Sequence, residues 1–129
     1  MINHTVTAVL DAPRDDVFAF LSEVDNLPLW ATEFARELKL DDGSAKVVNG
    51  LGELFFSIEA DAETGVIDMF AGPTRDEMAL FPTRVVSLPG DRCAYSFTMF
   101  KWPDTPDDLF EAQHRSLQRE LDNLRARFS

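Results

Sequence analysis

Cysteine, histidine and tyrosine are nearly missing from this chain: one cysteine, two histidines and one tyrosine in 129 residues. A lone thiol, Cys93, rules out a disulfide within the chain and suits a reducing compartment. His4 and His114, with that one cysteine, show none of the paired spacings of zinc or iron motifs, so no metal and no other cofactor is expected. No Gly-x-Ser-x-Gly elbow presents a nucleophile. Gly50-Leu51-Gly52 lacks a third glycine and precedes a strand-like run, which excludes a nucleotide loop. Basic residues are scarce too: 12 Lys and Arg stand against 23 Asp and Glu, for a formal net charge of −11. Nucleic acid is therefore not an expected partner, because phosphate binding needs clustered cations, and anionic membrane surfaces are disfavoured as well. The acidic pairs Asp15-Asp16, Asp41-Asp42 and Asp107-Asp108 are dispersed, as helix starts and turns would be. Apolar runs of membrane-spanning length are absent, and so is a basic-then-apolar opening. These features predict a cytoplasmic protein without stable membrane insertion, and they leave a homodimer open.

Phenylalanine is what the chain has in excess, at eleven residues. Rings without polar handles suit a dense core or the wall of an apolar pocket, and the core is expected to take most of them. With 45% hydrophobic residues, the chain is expected to form one domain over residues 1–129, with room for a modest cavity. Its opening is the most specific part. Thr5 to Leu10 alternates, with Val6, Ala8 and Leu10 in one phase, which predicts a half-buried strand. Pro13 fits the first turn of a helix, and Asp15 and Asp16 complement its dipole. Val17, Phe20, Leu21 and Val24 form one apolar stripe. Asp25 and Asn26 are N-cap types for a second helix with Pro28 just inside it. Leu27, Trp30, Ala31 and Phe34 repeat the helical spacing.

Leu10-Asp11-Ala12-Pro13, the helix carrying Val17 and Leu21, and Asp25 to Trp30 together resemble the START-like superfamily. That group, also called SRPBCC or Bet v 1-like, includes polyketide cyclase and dehydrase-type proteins. The likeness continues through several central strands and one long final helix. It implies an α+β helix-grip fold, a curved antiparallel sheet wrapped around a long C-terminal helix, with two short helices after the first strand. It also implies a cavity between sheet and helix that takes lipid-, sterol-, quinone- or polyketide-like ligands. None of the matching residues is catalytic in the family, so the likeness bears on fold more than on activity.

The remaining chain reads as alternating strands and turns. Arg36 to Leu40, Ala45 to Val48, Glu53 to Ala60, Val66 to Ala71, Met78 to Leu88 and Arg92 to Trp102 are the expected strands. Turns are expected at Asp41-Asp42-Gly43-Ser44, at Asp61 to Gly65, at Gly72 to Asp76 and at Pro89-Gly90-Asp91. Pro82 predicts a bulge or an edge position. In the last helix Thr105 is the expected N-cap, Pro106 the first helical residue, and Asp107 and Asp108 an acidic first turn. Phe110, Leu117, Leu121, Leu124 and Phe128 then share one stripe, with Gln113 and His114 on its two margins.

Candidate site residues follow from these faces. Trp30, Phe34, Tyr95, Phe97, Phe110, Gln113 and Leu117 are the expected cavity lining. His114 is the candidate proton-transfer group, placed beside the presumed cavity with an ordinary pKa near neutrality. Asp68, in phase with Val66 and Phe70, joins it if that phase faces inward, where burial would raise its pKa. The competing readings are a boundary histidine with its edge in water, and a solvent-facing strand phase. Three functions remain on the page: binding of a small apolar or aromatic molecule, a cyclase- or dehydratase-type enzyme using His114 and Asp68, and a partner-binding module.

Overall fold

The computed structural model describes residues 1–41 and 43–129; Asp42, in the expected turn at Asp41 to Ser44, lies outside the described residues. The elements run β1 (Asn3–Leu10), α1 (Arg14–Ser22), a short 3-10 turn (Val24–Asn26), α2 (Leu27–Trp30), β2 (Glu37–Asp41) and β3 (Ser44–Asn49). Then follow β4 (Gly52–Asp61), β5 (Val66–Thr74), β6 (Glu77–Leu88), β7 (Arg92–Phe100) and α3 (Asp107–Arg127). One seven-stranded antiparallel sheet has the order β1-β7-β6-β5-β4-β3-β2. It curves around α3, as the helix-grip expectation requires. Among the described residues, successive strands are sheet neighbours except β1 and β2, and the short helices lie in the connection between those two.

Alternation along the strands builds the core. Ala8 and Leu10, Ile67 and Met69, Val85, and Cys93 and Tyr95 point inward and are buried. They meet Phe110, Leu117, Leu121 and Leu124 from α3. The far end of α3 is tied to β1: the Asp11 N–H donates to the Phe128 carbonyl at 2.8 Å, and Arg125 Nη2 donates to the Thr7 carbonyl at 3.2 Å. Only Phe56 and Phe110 among the phenylalanines are fully buried. Phe18, Phe20, Phe34, Phe81, Phe97 and Phe128 pack against that core as a half-buried shell.

Both helix-starting prolines sit one position earlier than expected. Pro13 and Pro106 hold the N-cap positions of α1 and α3, with ψ of 147° and 145° and no side-chain cap. The ring fixes φ near −60° in extended and helical backbone alike, so it does not choose between them. Asn26 does not cap α2 with its side chain; its Nδ2 donates at 3.0 Å to the Phe20 carbonyl, one of the orphan carbonyls at the end of α1. Pro82 stands just outside the β6–β7 ladder, which begins at Thr83↔Phe97, so its missing N–H costs no pairing there.

β5 continues through Gly72 to Thr74, where a turn was expected, and its register against β6 shifts between Ala71 and Thr74. This irregularity brings β6 backbone against Gly72. A Cβ on Gly72 would lie 1.9 Å from the Glu77 carbonyl oxygen, whereas one on Gly50 meets nothing nearer than 3.9 Å. Gly72→Ala is expected to lower stability by about 1–3 kcal/mol, and Gly50→Ala to stay within about 0.5 kcal/mol. Urea denaturation midpoints of the two variants check this.

Candidate functional site

Between α3, the concave face of the sheet and the segment 27–36 lies a cavity of about 600 Å³, inside the range of about 300–1,000 Å³ common for small-molecule sites. Its floor is Phe56, Met69, Phe81, Phe97 and Met99, all on the inward phase of the strands. Leu27, Trp30 and Phe34 supply one wall, and Leu109, Gln113, Leu117 and Glu120 on α3 supply another. Polar groups gather at one end, where Glu33, Arg36, Asn49 and Ser116 line the cavity together with Glu120.

Glu120 organises that end. It is only 5% exposed, and its Oε2 accepts backbone N–H bonds from Glu33 at 3.1 Å and Phe34 at 3.0 Å. Its Oε1 makes no hydrogen bond among the described residues, while the side chain lines the cavity. Burial pushes its pKa up to about 7, against the pull of the two backbone donors; the charge of Glu33 adds to the rise and that of Arg119 opposes it. Glu33 has the opposite fate. Arg119 grips it in a two-pronged pair, Nε to Oε2 at 2.9 Å and Nη2 to Oε1 at 2.6 Å, and Ser116 Oγ donates at 3.1 Å. The Arg119 bond holds the Glu33 carboxyl below its usual range.

The same helix face fastens the cavity wall. Asn123 Nδ2 donates to the Trp30 carbonyl at 2.9 Å, beside the Glu120 and Arg119 contacts. Asn49 Nδ2 on β3 donates to the Phe34 carbonyl at 2.9 Å, so the segment after α2 is held from both sides. Backbone groups in an irregular, partly buried segment need such partners, and here polar side chains supply them.

Trp30, Phe34, Phe97, Gln113 and Leu117 stand on the cavity wall. The other candidates do not. Asp68 is on the outer face of the sheet, paired across from Glu59, because the buried phase of β5 is Ile67, Met69 and Ala71. Tyr95 is fully buried beneath the floor, in edge contact with Trp30 at 6.2 Å between ring centroids. Burial raises the pKa of its hydroxyl, against the pull of the neighbouring Thr83 hydroxyl. Phe110 packs in the core under His4. His114 faces β1 on the opposite flank of α3 from Gln113, stacked on His4 at 3.8 Å. His114 and Asp68 therefore do not meet at a common cavity point. The buried carboxyl that lines the cavity, Glu120, is not among the sequence candidates, although it stands three residues after Leu117 and four before Leu124 beside the same stripe.

Known proteins add the fold and no more. No family model matches the chain, and no curated protein matches it. Solved structures do. The protein XoxI from Bacillus cereus is similar at 14% identity and a TM-score of 0.78, over 99% of this chain and 96% of that one. A START superfamily protein from Mycobacterium smegmatis gives 15% identity and a TM-score of 0.73, over 98% and 96%. The ZhuI aromatase/cyclase from Streptomyces sp. R1128 gives 18% and 0.74, over 98% and 92%. Among the described residues no helix is long and apolar enough to cross a membrane.

The Glu120 environment sets a pH dependence. Its folded pKa lies above the ordinary carboxyl value of 4.5, so folding favours the protonated form; that stability is complete below about pH 4.5 and is lost as pH rises through about 7. Glu120→Gln keeps an oxygen for the two N–H donors and cannot ionise. Wild type and Glu120→Gln are expected to match near pH 4, with the wild type falling behind by about 3 kcal/mol at pH 8. Chemical denaturation across that pH range measures the difference. The helix-grip fold, with one polar end built around a buried carboxyl, is thus what chain and comparisons together establish.

Proposed function

We propose that this protein binds a small, largely apolar molecule, lipid-, quinone- or polyketide-like, that carries one hydrogen-bonding end. The observation behind the reading is the apolar cavity of about 600 Å³ with the buried Glu120 carboxyl on its lining, one oxygen of which has no hydrogen-bond partner among the described residues. Aromatic and aliphatic walls reward an apolar body of that size, and a few placed polar groups orient it. Near neutral pH the Glu120 carboxyl exists in both forms. Protonated, it donates to a ligand carbonyl; ionised, it accepts from a ligand hydroxyl. Quinone- and polyketide-like molecules carry both groups. The similarity in fold to a START protein and to an aromatase/cyclase accords with this reading.

The test uses Nile red, a neutral apolar dye, with the purified protein. One dye per chain is expected to bind in the micromolar range, roughly −8 kcal/mol. Leu117→Trp, which fills the cavity from α3, is expected to weaken binding by at least about tenfold while circular dichroism keeps the native spectrum. Equal dye binding by that variant overturns the proposal.

A second reading, proton transfer within the cavity, is favoured by the same carboxyl, whose pKa of about 7 suits a general acid or base. It moves the catalytic role expected of His114 and Asp68 to Glu120. A substrate turned over in the cavity would show a break in kcat near pH 7, and Glu120→Gln would remove that break and lower kcat by about 10²–10⁴-fold.

A further inference from the structure

On the far flank of α3 from the cavity, three side chains that are widely separated in sequence come together. β1 lies along α3, which lays the His4 ring parallel to that of His114, with centroids 3.8 Å apart and planes 9° apart. Glu111, one turn before His114, sets its carboxylate along the edge of the stack: His4 Nε2 is 3.1 Å from Oε1 and His114 Nδ1 is 3.8 Å from Oε2. Phe110 stacks behind His4 at 5.3 Å and fixes its ring. The absence of paired histidine spacing, which argued against a metal from the sequence, does not count against this cluster. Its donors come from a strand and a helix that meet only in the fold.

We infer that His4, Glu111 and His114 form a binding site for a first-row transition-metal dication, Zn²⁺ above all, that clamps α3 to the edge strand β1. The donor atoms carry the inference. Two ligand atoms about 2.0–2.1 Å from one tetrahedral ion stand about 3.3 Å apart. The His4–Glu111 distance of 3.1 Å already matches that separation, and the 3.8 Å between His114 and Glu111 is near it. All three ligand atoms lie within 4.8 Å of one another, and one imidazole swings out of the stack to aim its in-plane lone pair at the same ion. Two imidazoles and one carboxylate suit Zn²⁺, Co²⁺, Ni²⁺ or Cu²⁺ and not Ca²⁺ or Mg²⁺, which prefer all-oxygen sets. Three protein ligands leave a fourth position for water. The side chains are 31%, 49% and 20% exposed for His4, Glu111 and His114, so that position opens to solvent and the ion exchanges freely. The carboxylate neutralises one of the ion's two charges. Because α3 also carries the Gln113–Glu120 wall, ligation at residues 111 and 114 pins that wall's N-terminal half against the sheet.

The experiment titrates ZnCl₂ into untagged protein by calorimetry and follows thermal unfolding with and without the ion. One Zn²⁺ per chain with micromolar affinity is expected, together with a higher Tm. His4→Gln, His114→Gln and Glu111→Gln should each weaken binding and remove the Tm rise. Outer-shell partners alone are worth about 10–100-fold in metal affinity, so loss of a ligand should cost about tenfold or more. Absence of saturable binding, or variants that bind as the wild type does, overturns the inference and leaves a surface histidine pair only. Co²⁺ added to the wild-type protein gives a reading that needs no variant. Paramagnetic broadening of both the His4 and His114 ring resonances supports the site, and broadening of neither overturns it.

Discussion

The pairing of the first strand with the last is the constraint from which the rest follows. Asn3↔Phe100 through Leu10↔Cys93 zips β1 onto β7, although some ninety residues of chain separate the partners. Because the intervening strands pair as successive neighbours, this single long-range ladder decides where the other end of the sheet lies. It obliges the β1–β2 connection to travel the full width of the sheet, which carries α1 and α2 over the concave face. It also offers β1 as the surface on which α3 settles after leaving β7. Non-local ladders of this kind form slowly, since a long loop must close before the contacts reward it.

Given that frame, α3 has two working flanks. One presents Glu120, Arg119 and Asn123 to the segment after α2 and turns otherwise orphaned backbone groups into a fastened wall. The carboxyl that does most of this fastening is also the group that burial least wants charged, which sets structural and chemical demands on the same atoms. The other flank carries His114 and Glu111 to β1. A helix with different chemistry on each side can respond to a change on one flank by shifting against the other, since packed interfaces move as rigid units.

Much of the fold was legible because its signals are local. A proline with two aspartates in the turn behind it marks the starts of α1 and α3 to within one residue, and the Phe110–Leu124 stripe announces a helix that needs a broad apolar partner. The site was less legible, for reasons that two residues make plain. Asp68 is a site candidate only if its phase faces inward with Val66 and Phe70, yet Ile67, Met69 and Ala71 in the other phase are equally apolar. The sheet carries phenylalanines on its outer face as well, where Phe55 lies under Lys46 at 4.8 Å, so alternation in β5 gives no sign of which phase is buried. His114 is a cavity candidate because it stands on a margin of the apolar stripe, and Gln113 stands on the other. Periodicity finds the stripe but cannot tell which margin meets the cavity and which meets β1. Glu120 had a local signal, a carboxylate inside an apolar stripe. Its burial depends on donors from residues 33 and 34, more than eighty positions away.

The half-buried phenylalanine shell has a consequence for selectivity. Phe34, Phe81 and Phe97 border the cavity without being locked in the core, and Phe81 and Phe97 lean against each other at 5.9 Å. Rings with room on one side can pivot about χ1 and χ2 at small cost, while the sheet behind them stays still. The outline that a guest meets is therefore elastic, and guests of unequal bulk find comparable contact. Direction is not elastic. Glu120 is pinned by two backbone donors at a fixed place, so a guest with its polar group at the wrong end would leave that carboxyl stranded. For the binding role proposed above, the direction in which a molecule points therefore weighs more than modest differences in its bulk.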